Sequence, residues 1–281
     1  MCAAHPRIVL GLHRSRYERR LLRGAADLGI EAIDTSFNYL GFRAHRALHE
    51  VAADLLPKFA VSTKVGYFPA SGASEHSLSP ERLRAAVERT ARDLGREPDL
   101  IFLHNPEQSL AQASQVPAAE RLAVACSVLA NAAARGVCGS WGVASWDPRP
   151  LAGLAGSSLP RPGVLMVRAG LLVGAETLEA AERLFAEWQP SAVWGMSPFG
   201  GNVKAPVWES FDPRIFLCEP QGRTVAQAAF RTAYHLPAVD GVAVGADNLN
   251  HLRELTDSLG AEVDDQQIRQ YRELLRYRQP G

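Results

Sequence analysis

The 281-residue sequence predicts an α/β fold, a (β/α)8 TIM barrel of eight parallel strands closed into a ring inside a layer of helices. Three observations carry this. Short apolar runs recur along the chain, most of them followed by a helical pattern, which implies parallel pairing. Eight such runs fit the roughly 250 residues a closed barrel takes. The first run leads into "GLHRSR", without the glycine-rich G-x-G-x-x-G turn that marks the nucleotide site of an open doubly wound sheet.

The elements follow in order. "RIVLGL" (7–12) is the first strand, and "YERRLLRGAADLGI" reads as helix. "EAIDT" (31–35) is the second; behind it Ala44, Leu48, Val51 and Leu55 share one helical face. "FAVSTK" (59–64) is the third. Its helix opens at Ser79, a side chain suited to N-capping, with Pro80 at the first helical position and the stripe Leu83, Val87, Ala91, Leu94. "DLIFLHN" (99–105) is the fourth, followed by a helix at 119–135 that ends before Gly136. "SWGVAS" (140–145), with a short helix at 148–155, and "GVLMVRA" (163–169), with a helix at 176–188, are the fifth and sixth. "AVWGMS" (192–197) is the seventh. A helix at 223–236 leads to the eighth, "GVAVGA" (241–246), and helices at 248–259 and 264–276 follow. No repeat or low-complexity linker divides the chain, so residues 1–281 are expected to form one domain.

Composition excludes several classes of function. Formal net charge is zero, so a nucleic-acid or anionic-membrane surface has no electrostatic footprint. The four cysteines are scattered without a C-x-x-C pair, so neither a metal site nor a disulfide framework is expected. Their pattern suits a reducing compartment. With no signal-like start and no long apolar run, a cytoplasmic protein is expected. Richness in alanine and arginine fits a bacterial source.

In a barrel of this kind, functional residues sit where strands end. Those positions carry His13, Asp34, Lys64, His104, Ser145, Arg168 and Ser197 in turn, and the eighth strand ends in Gly245-Ala246. Three consecutive strands thus bring a carboxylate, an ammonium and an imidazole to one rim, with Tyr39 on the loop between two of them. Singly, each has an ordinary reading as a turn residue, cap or packing side chain. Together they make a coherent proton-transfer site. A phenol ordinarily near pKa ~10 is a poor acid at neutral pH. An adjacent lysine favours the phenolate and lowers that value. A carboxylate can hold the lysine, and a neutral imidazole can bond a substrate oxygen. Such a tyrosine can protonate an oxygen that becomes an alkoxide, which is what carbonyl reduction needs when a cofactor brings the hydride.

These segments resemble the aldo-keto reductase family nearly end to end. "GIEAIDTSFNYLG" is similar to the family's G-I-N-x-F-D-T-A-x-x-Y-G, with Asp34 and Tyr39 at the family spacing. "VSTKVG" resembles the strand bearing the family's lysine, and "SPERLRAAVERTARDLGREPDLIFLHNP" the helix and strand leading to its histidine. "RGVCGSWGVASW", "SPFGGNVK" and "VAVGADNLNHLREL" resemble later blocks more loosely. The resemblance implies reduction of an aldehyde or ketone, or the reverse alcohol oxidation, with NADP(H) or NAD(H). It implies Tyr39 as general acid, Lys64 tuning it, Asp34 anchoring Lys64, and His104 orienting the carbonyl. Ser145, Ser197, Gly245 and Glu254 fall at cofactor-binding positions.

The cofactor half departs from the family pattern. Ala144 and Ser145 stand where Ser and Asn hold the nicotinamide amide, Met166 replaces a Gln, and Met196 an aromatic residue. An alternative therefore stays open: a repurposed barrel with redox-neutral isomerase, lyase or cyclase chemistry in a specialised biosynthetic pathway, or a non-catalytic regulatory subunit. The expected partner is a small-molecule carbonyl or alcohol. His13, Asn38, Trp146 and Arg168 are the substrate-binding candidates, with Phe42, Phe68 and Phe199 near the same rim. Arg168 suits a carboxylate or phosphate. The loops after the strands are expected to be short and the pocket open.

Overall fold

The computed structural model describes residues 8–111, 116–154, 159–246 and 248–277. The first strand and helix are β1 (Ile8–Gly11) and α1 (Arg19–Asp27), then β2 (Ala32–Asp34), α2 (Ala44–Ala52) and β3 (Ala60–Val65). A hairpin of β4 (Tyr67–Ala70) and β5 (Ala73–His76) precedes α3 (Pro80–Leu94). Next come β6 (Leu100–His104), the single turn α4 (Glu107–Leu110), α5 (Ala118–Ala134), β7 (Ser140–Ser145) and β8 (Val164–Arg168). The remaining elements are α6 (Ala175–Trp188), β9 (Ala192–Met196), α7 (Val207–Ser210), α8 (Val225–Thr232), β10 (Gly241–Val244), α9 (Leu249–Ser258) and α10 (Asp265–Tyr277). The barrel closes in the order β1-β10-β9-β8-β7-β6-β3-β2, every neighbouring pair parallel. The expected (β/α)8 architecture is observed.

Register explains how the rim is assembled. Asp34 lies beside Ser62, Lys64 beside Phe102, and His104 beside Ala144. Side chains alternate along each strand, so one set from these strands enters the barrel. Apart from Ser62, below the rim that set is apolar: Val9, Ala32, Phe102, Ala144, Met166 and Trp194 belong to one buried cluster. Phe102 and Trp194 meet edge to face at 5.7 Å and fill the centre. Gly142 makes this filling sterically feasible, because a Cβ there would sit 2.8 Å from the Phe102 ring and 2.3 Å from the Val164 carbonyl. The outer faces of the strands bury Ile33, Val61 and Leu103 against α1, α2, α3 and α5.

Local chemistry sets the helix ends. Ser79 accepts a hydrogen bond from the Arg82 backbone, Pro80 opens α3, and Gly95 closes it at φ 73°. Thr224 and Gln227 form a reciprocal capping box on α8. The helix is shorter than the 223–236 the sequence predicts, because it gives way to turns after Thr232. At 148–154 the expected helix is replaced by turns, in keeping with Gly153 at φ 89°, while the rest of that prediction falls at 155–158, outside the described residues.

The expectation of short loops fails in two places. The β4–β5 hairpin stands after β3, and residues 197–224 form a long excursion holding α7 and the 3-10 turn Pro213–Phe216. Among the described residues, no helix is long and apolar enough to cross a membrane. No group of three His, Cys, Asp or Glu among them could hold a metal ion.

Candidate active site

Asp34, at the end of β2, is 5 % exposed, and Lys64, near the end of β3, is 2 % exposed. Their side chains form an ion pair inside the barrel mouth. Such a pair survives desolvation only when its remaining bonding capacity is filled. Ser62 Oγ donates to Asp34 Oδ1 at 2.8 Å, and Lys64 Nζ donates to the Thr35 carbonyl at 3.0 Å.

Tyr39 follows on a tight reversal. Leu40, Gly41 and Phe42 have φ of 49°, 61° and 67°, an unusual left-handed run that β-branched residues would resist. The turn lays the phenol ring 5.7 Å from Lys64 Nζ and 4.9 Å from the His13 ring. The expected lowering of its pKa is not what the site produces. Burial, with Asp34 and then Tyr67 adding to it, pushes the phenol well above its ordinary value. The lysine charge is already committed to Asp34, so desolvation wins. The phenol is therefore a neutral O–H donor across the physiological range.

His104 completes the set from β6. Burial holds its imidazole well below the ordinary value, with Lys64, His76 and His13 acting in the same direction, so the ring is neutral. Its Nδ1 lies 3.1 Å from Ser36 Oγ. The Tyr67 ring stands edge-on at 4.9 Å. Behind it, His76 Nε2 lies 2.7 Å from the His104 carbonyl and His76 Nδ1 lies 2.7 Å from Ser109 Oγ. A carbonyl only accepts, so His76 carries its proton on Nε2, and Ser109 donates to Nδ1. Gly66 lets the hairpin approach this closely: at φ 147°, an added Cβ would sit 2.9 Å from the His104 carbonyl oxygen.

The strand-end candidates on the other side behave differently. Trp146 is 42 % exposed, yet its backbone is pinned. Its N–H is shared between Glu107 Oε1 at 2.8 Å and Asn105 Oδ1 at 3.1 Å, and Asp147 N–H donates to Glu107 Oε1 at 3.0 Å. Arg168 Nε donates to the Trp146 carbonyl at 2.9 Å, and its guanidinium lies 5.2 Å from the indole centre. The nearby Asp147 carboxylate is engaged by Arg149, which also bonds Glu176.

Ser145 corrects an expectation. Its neighbour Ala144 enters the barrel, so Ser145 points the other way, and its buried hydroxyl lies beside the Glu107 carboxyl instead of the mouth. Burial raises the Glu107 pKa, partly opposed by the backbone N–H groups of Asp147, Glu107 and Trp146 and by Ser145. Among the described residues, Ser145 Oγ makes no well-formed hydrogen bond and Glu107 Oε2 has no partner. Ser197 sits half-buried at φ 58° where β9 gives way to the long loop. Gly245 follows β10 directly, and the Glu254 side chain is exposed on α9. Asn38 joins the His104 neighbourhood through Ser36, whose Oγ is 2.6 Å from Asn38 Oδ1.

Sequence reading missed Ser36, Tyr67, His76 and Glu107. Ser36 carried a signal, since it lies in the same "DTSFNY" segment as Asp34 and Tyr39. Tyr67 and His76 did not, because only the unpredicted hairpin brings them to His104.

Residues 13–171 match the model of the Aldo/keto reductase family. No curated protein matches the chain. Solved structures agree on the fold. An aldo-keto reductase from Bacillus halodurans, in its holo form, is 19 % identical at TM-score 0.71, over 95 % of this chain and 91 % of that one. One from Klebsiella pneumoniae, in complex with NADPH, is 18 % identical at TM-score 0.69, over 96 % and 91 %. Aldose reductase from Giardia lamblia is 15 % identical at TM-score 0.71, over 98 % and 94 %. With more than half its length matched by the family model and a closed parallel barrel around the rim residues, this chain belongs to the aldo/keto reductase family.

Proposed function

We propose that the protein is an NAD(P)H-dependent reductase of an aldehyde or ketone, also able to run the reverse alcohol oxidation, with Tyr39, Lys64, Asp34 and His104 as its proton-transfer set. The observation that supports this most is the buried Asp34–Lys64 pair lying beside a phenol at one end of the barrel, with a neutral imidazole on the next strand. We further propose that residues 1–281 work as one domain, on a small molecule, in the cytoplasm.

A dinucleotide is compatible with the rim. Gly200 and Gly201 run at φ 67° and 95° on the exposed loop after β9, and among the described residues a Cβ on Gly245 would meet only the Gly11 carbonyl, at 3.6 Å. Open backbone beside the start of α9 suits phosphate groups. Ser197, Gly245 and the first turn of α9 would hold the cofactor, while Met166 and Met196 would pack beneath its ring. When bound, it supplies the hydride that goes to the carbonyl carbon.

The chain's own residues supply the rest. Tyr39 gives its phenolic proton to the carbonyl oxygen as that oxygen gains negative charge. The phenolate left behind is stabilised by Lys64, whose ammonium is held by Asp34 and the Thr35 carbonyl, with Asp34 fixed in turn by Ser62. His104 places the substrate oxygen, and its neutrality avoids a competing positive charge. His13, Asn38, Trp146 and Arg168 face the substrate, with the guanidinium available to a carboxylate or phosphate.

A second reading is favoured by one specific feature. Ala144, Met166 and the turned-away Ser145 would leave a nicotinamide amide without side-chain hydrogen bonds from these strands. Redox-neutral isomerase, lyase or cyclase chemistry, or a regulatory role, would need none. Titration of NADPH and NADH fluorescence with the protein separates the readings. The reductase binds a dinucleotide and oxidises it with a carbonyl panel. The redox-neutral enzyme transforms its substrate with no change in NAD(P)H absorbance.

A further inference from the structure

His104 is a neutral ring with one N–H, and which nitrogen carries it decides whether the site offers a donor or an acceptor. Nδ1 has one hydrogen-bond partner among the described residues, Ser36 Oγ at 3.1 Å, and Nε2 has none. Ser36 is fully buried and has a single proton with three groups competing for it: Asn38 Oδ1 at 2.6 Å, His104 Nδ1 at 3.1 Å and the Lys64 carbonyl at 3.3 Å. A separation of 2.6 Å suits O–H···O and is short for N–H···O. The Ser36 proton therefore goes to Asn38. Ser36 Oγ can then only accept from His104, which places the ring proton on Nδ1 and leaves Nε2 as a bare lone pair.

We infer that Ser36 and Asn38 are positioning residues that set the His104 tautomer, and that the resting site presents Nε2 as an acceptor. A carbonyl oxygen needs a donor. Turning the Asn38 amide over presents N–H to Ser36 Oγ, releases the Ser36 proton to Nδ1 and moves the ring proton to Nε2 through solvent exchange. Asparagine is the side chain that permits both states, because its amide carries a donor and an acceptor at nearly the same place. An alcohol O–H matches the first state and a carbonyl the second. This consequence for substrate rests on the reductase reading; the tautomer does not.

Histidine-labelled protein tests the inference without any substrate. Long-range proton–nitrogen NMR at pH 7.5 reports the tautomer of each of the eight histidines, with His104→Gln assigning the signal. Wild type is expected to show His104 protonated on Nδ1. In Ser36→Ala no described residue is left to accept from Nδ1, so the proton moves to Nε2. In Asn38→Asp, which only accepts at this pH, Nδ1–H persists. Wild type protonated on Nε2, or Nδ1–H retained in Ser36→Ala, overturns the inference. If Ser36→Ala does not fold, Nε2–H in Asn38→Asp overturns it equally. Loss of dinucleotide binding by wild type would sink the reductase reading and leave these spectra interpretable.

Discussion

The ammonium of Lys64 is bound by the carboxylate of Asp34 inside the barrel mouth and stands 5.7 Å from the centre of the Tyr39 ring. Lys64 thus has two tasks. It neutralises a buried acid now, and it faces the phenolate that proton transfer would create.

Removing one partner leaves the other charge buried alone. Asp34→Asn or Lys64→Met is expected to cost about 3–5 kcal/mol of stability. The double variant is expected to cost less than the two single losses combined, because no orphan charge remains. Urea unfolding of the four proteins measures this coupling; additive losses would mean the pair is not interdependent.

Stability should fall on mild acidification. Burial pushes His45 down from 6.5 to about 4. Between those values the unfolded chain takes up a proton that the folded chain refuses. The stability present above pH 6.5 is therefore lost progressively as pH falls to about 4. The gap corresponds to about 3 kcal/mol. His104, also held down by burial, adds in the same sense. Unfolding free energies at pH 7.5, 6, 5 and 4 test the slope, and His45→Gln should flatten it.

Much of the fold was legible because strand alternation, apolar helix stripes and the Ser79-Pro80 start are local signals. Asp34, Tyr39, Lys64 and His104 were legible for the same reason, since strand ends map onto one barrel rim. What stayed hidden depends on non-local geometry. The side to which Ser145 points is set by register with β6 and β8. His76 reaches His104 only because β4 and β5 fold back over the rim. The sign of the Tyr39 shift was misread because sequence shows a neighbouring lysine but not how completely Asp34 engages it.

Gly66 gives the hairpin its close approach. Gly66→Ala would place a Cβ 2.9 Å from the His104 carbonyl oxygen. The expected cost is about 1–3 kcal/mol, with weakening of the His76–His104 contact. A lower Tm and a changed His76 NMR signal would be seen; an unchanged His76 signal would show that the approach is not constrained there.

Arg168 is proposed to receive an anionic group on the substrate. Hydrogen bonds to charged groups contribute about 1.5–3 kcal/mol, roughly 10–100-fold in affinity. Arg168→Gln is expected to raise KM by that factor for an oxocarboxylate while leaving its neutral methyl ester within about 3-fold. Equal effects on both would place the guanidinium outside the substrate site, where its contacts with the Trp146 carbonyl and ring and with Thr177 Oγ1 would be its role.

Tyr39 is proposed to deliver a proton to a carbonyl oxygen while a nicotinamide cofactor reduces the carbon. NADPH and NADH consumption with a panel of aldehydes and ketones, comparing wild type with Tyr39→Phe, measures this. Expected are dinucleotide binding by both proteins, turnover by wild type, and a loss of roughly 10²–10⁴-fold in Tyr39→Phe. Turnover that survives Tyr39→Phe undiminished, or a wild-type protein that binds neither dinucleotide, would contradict it.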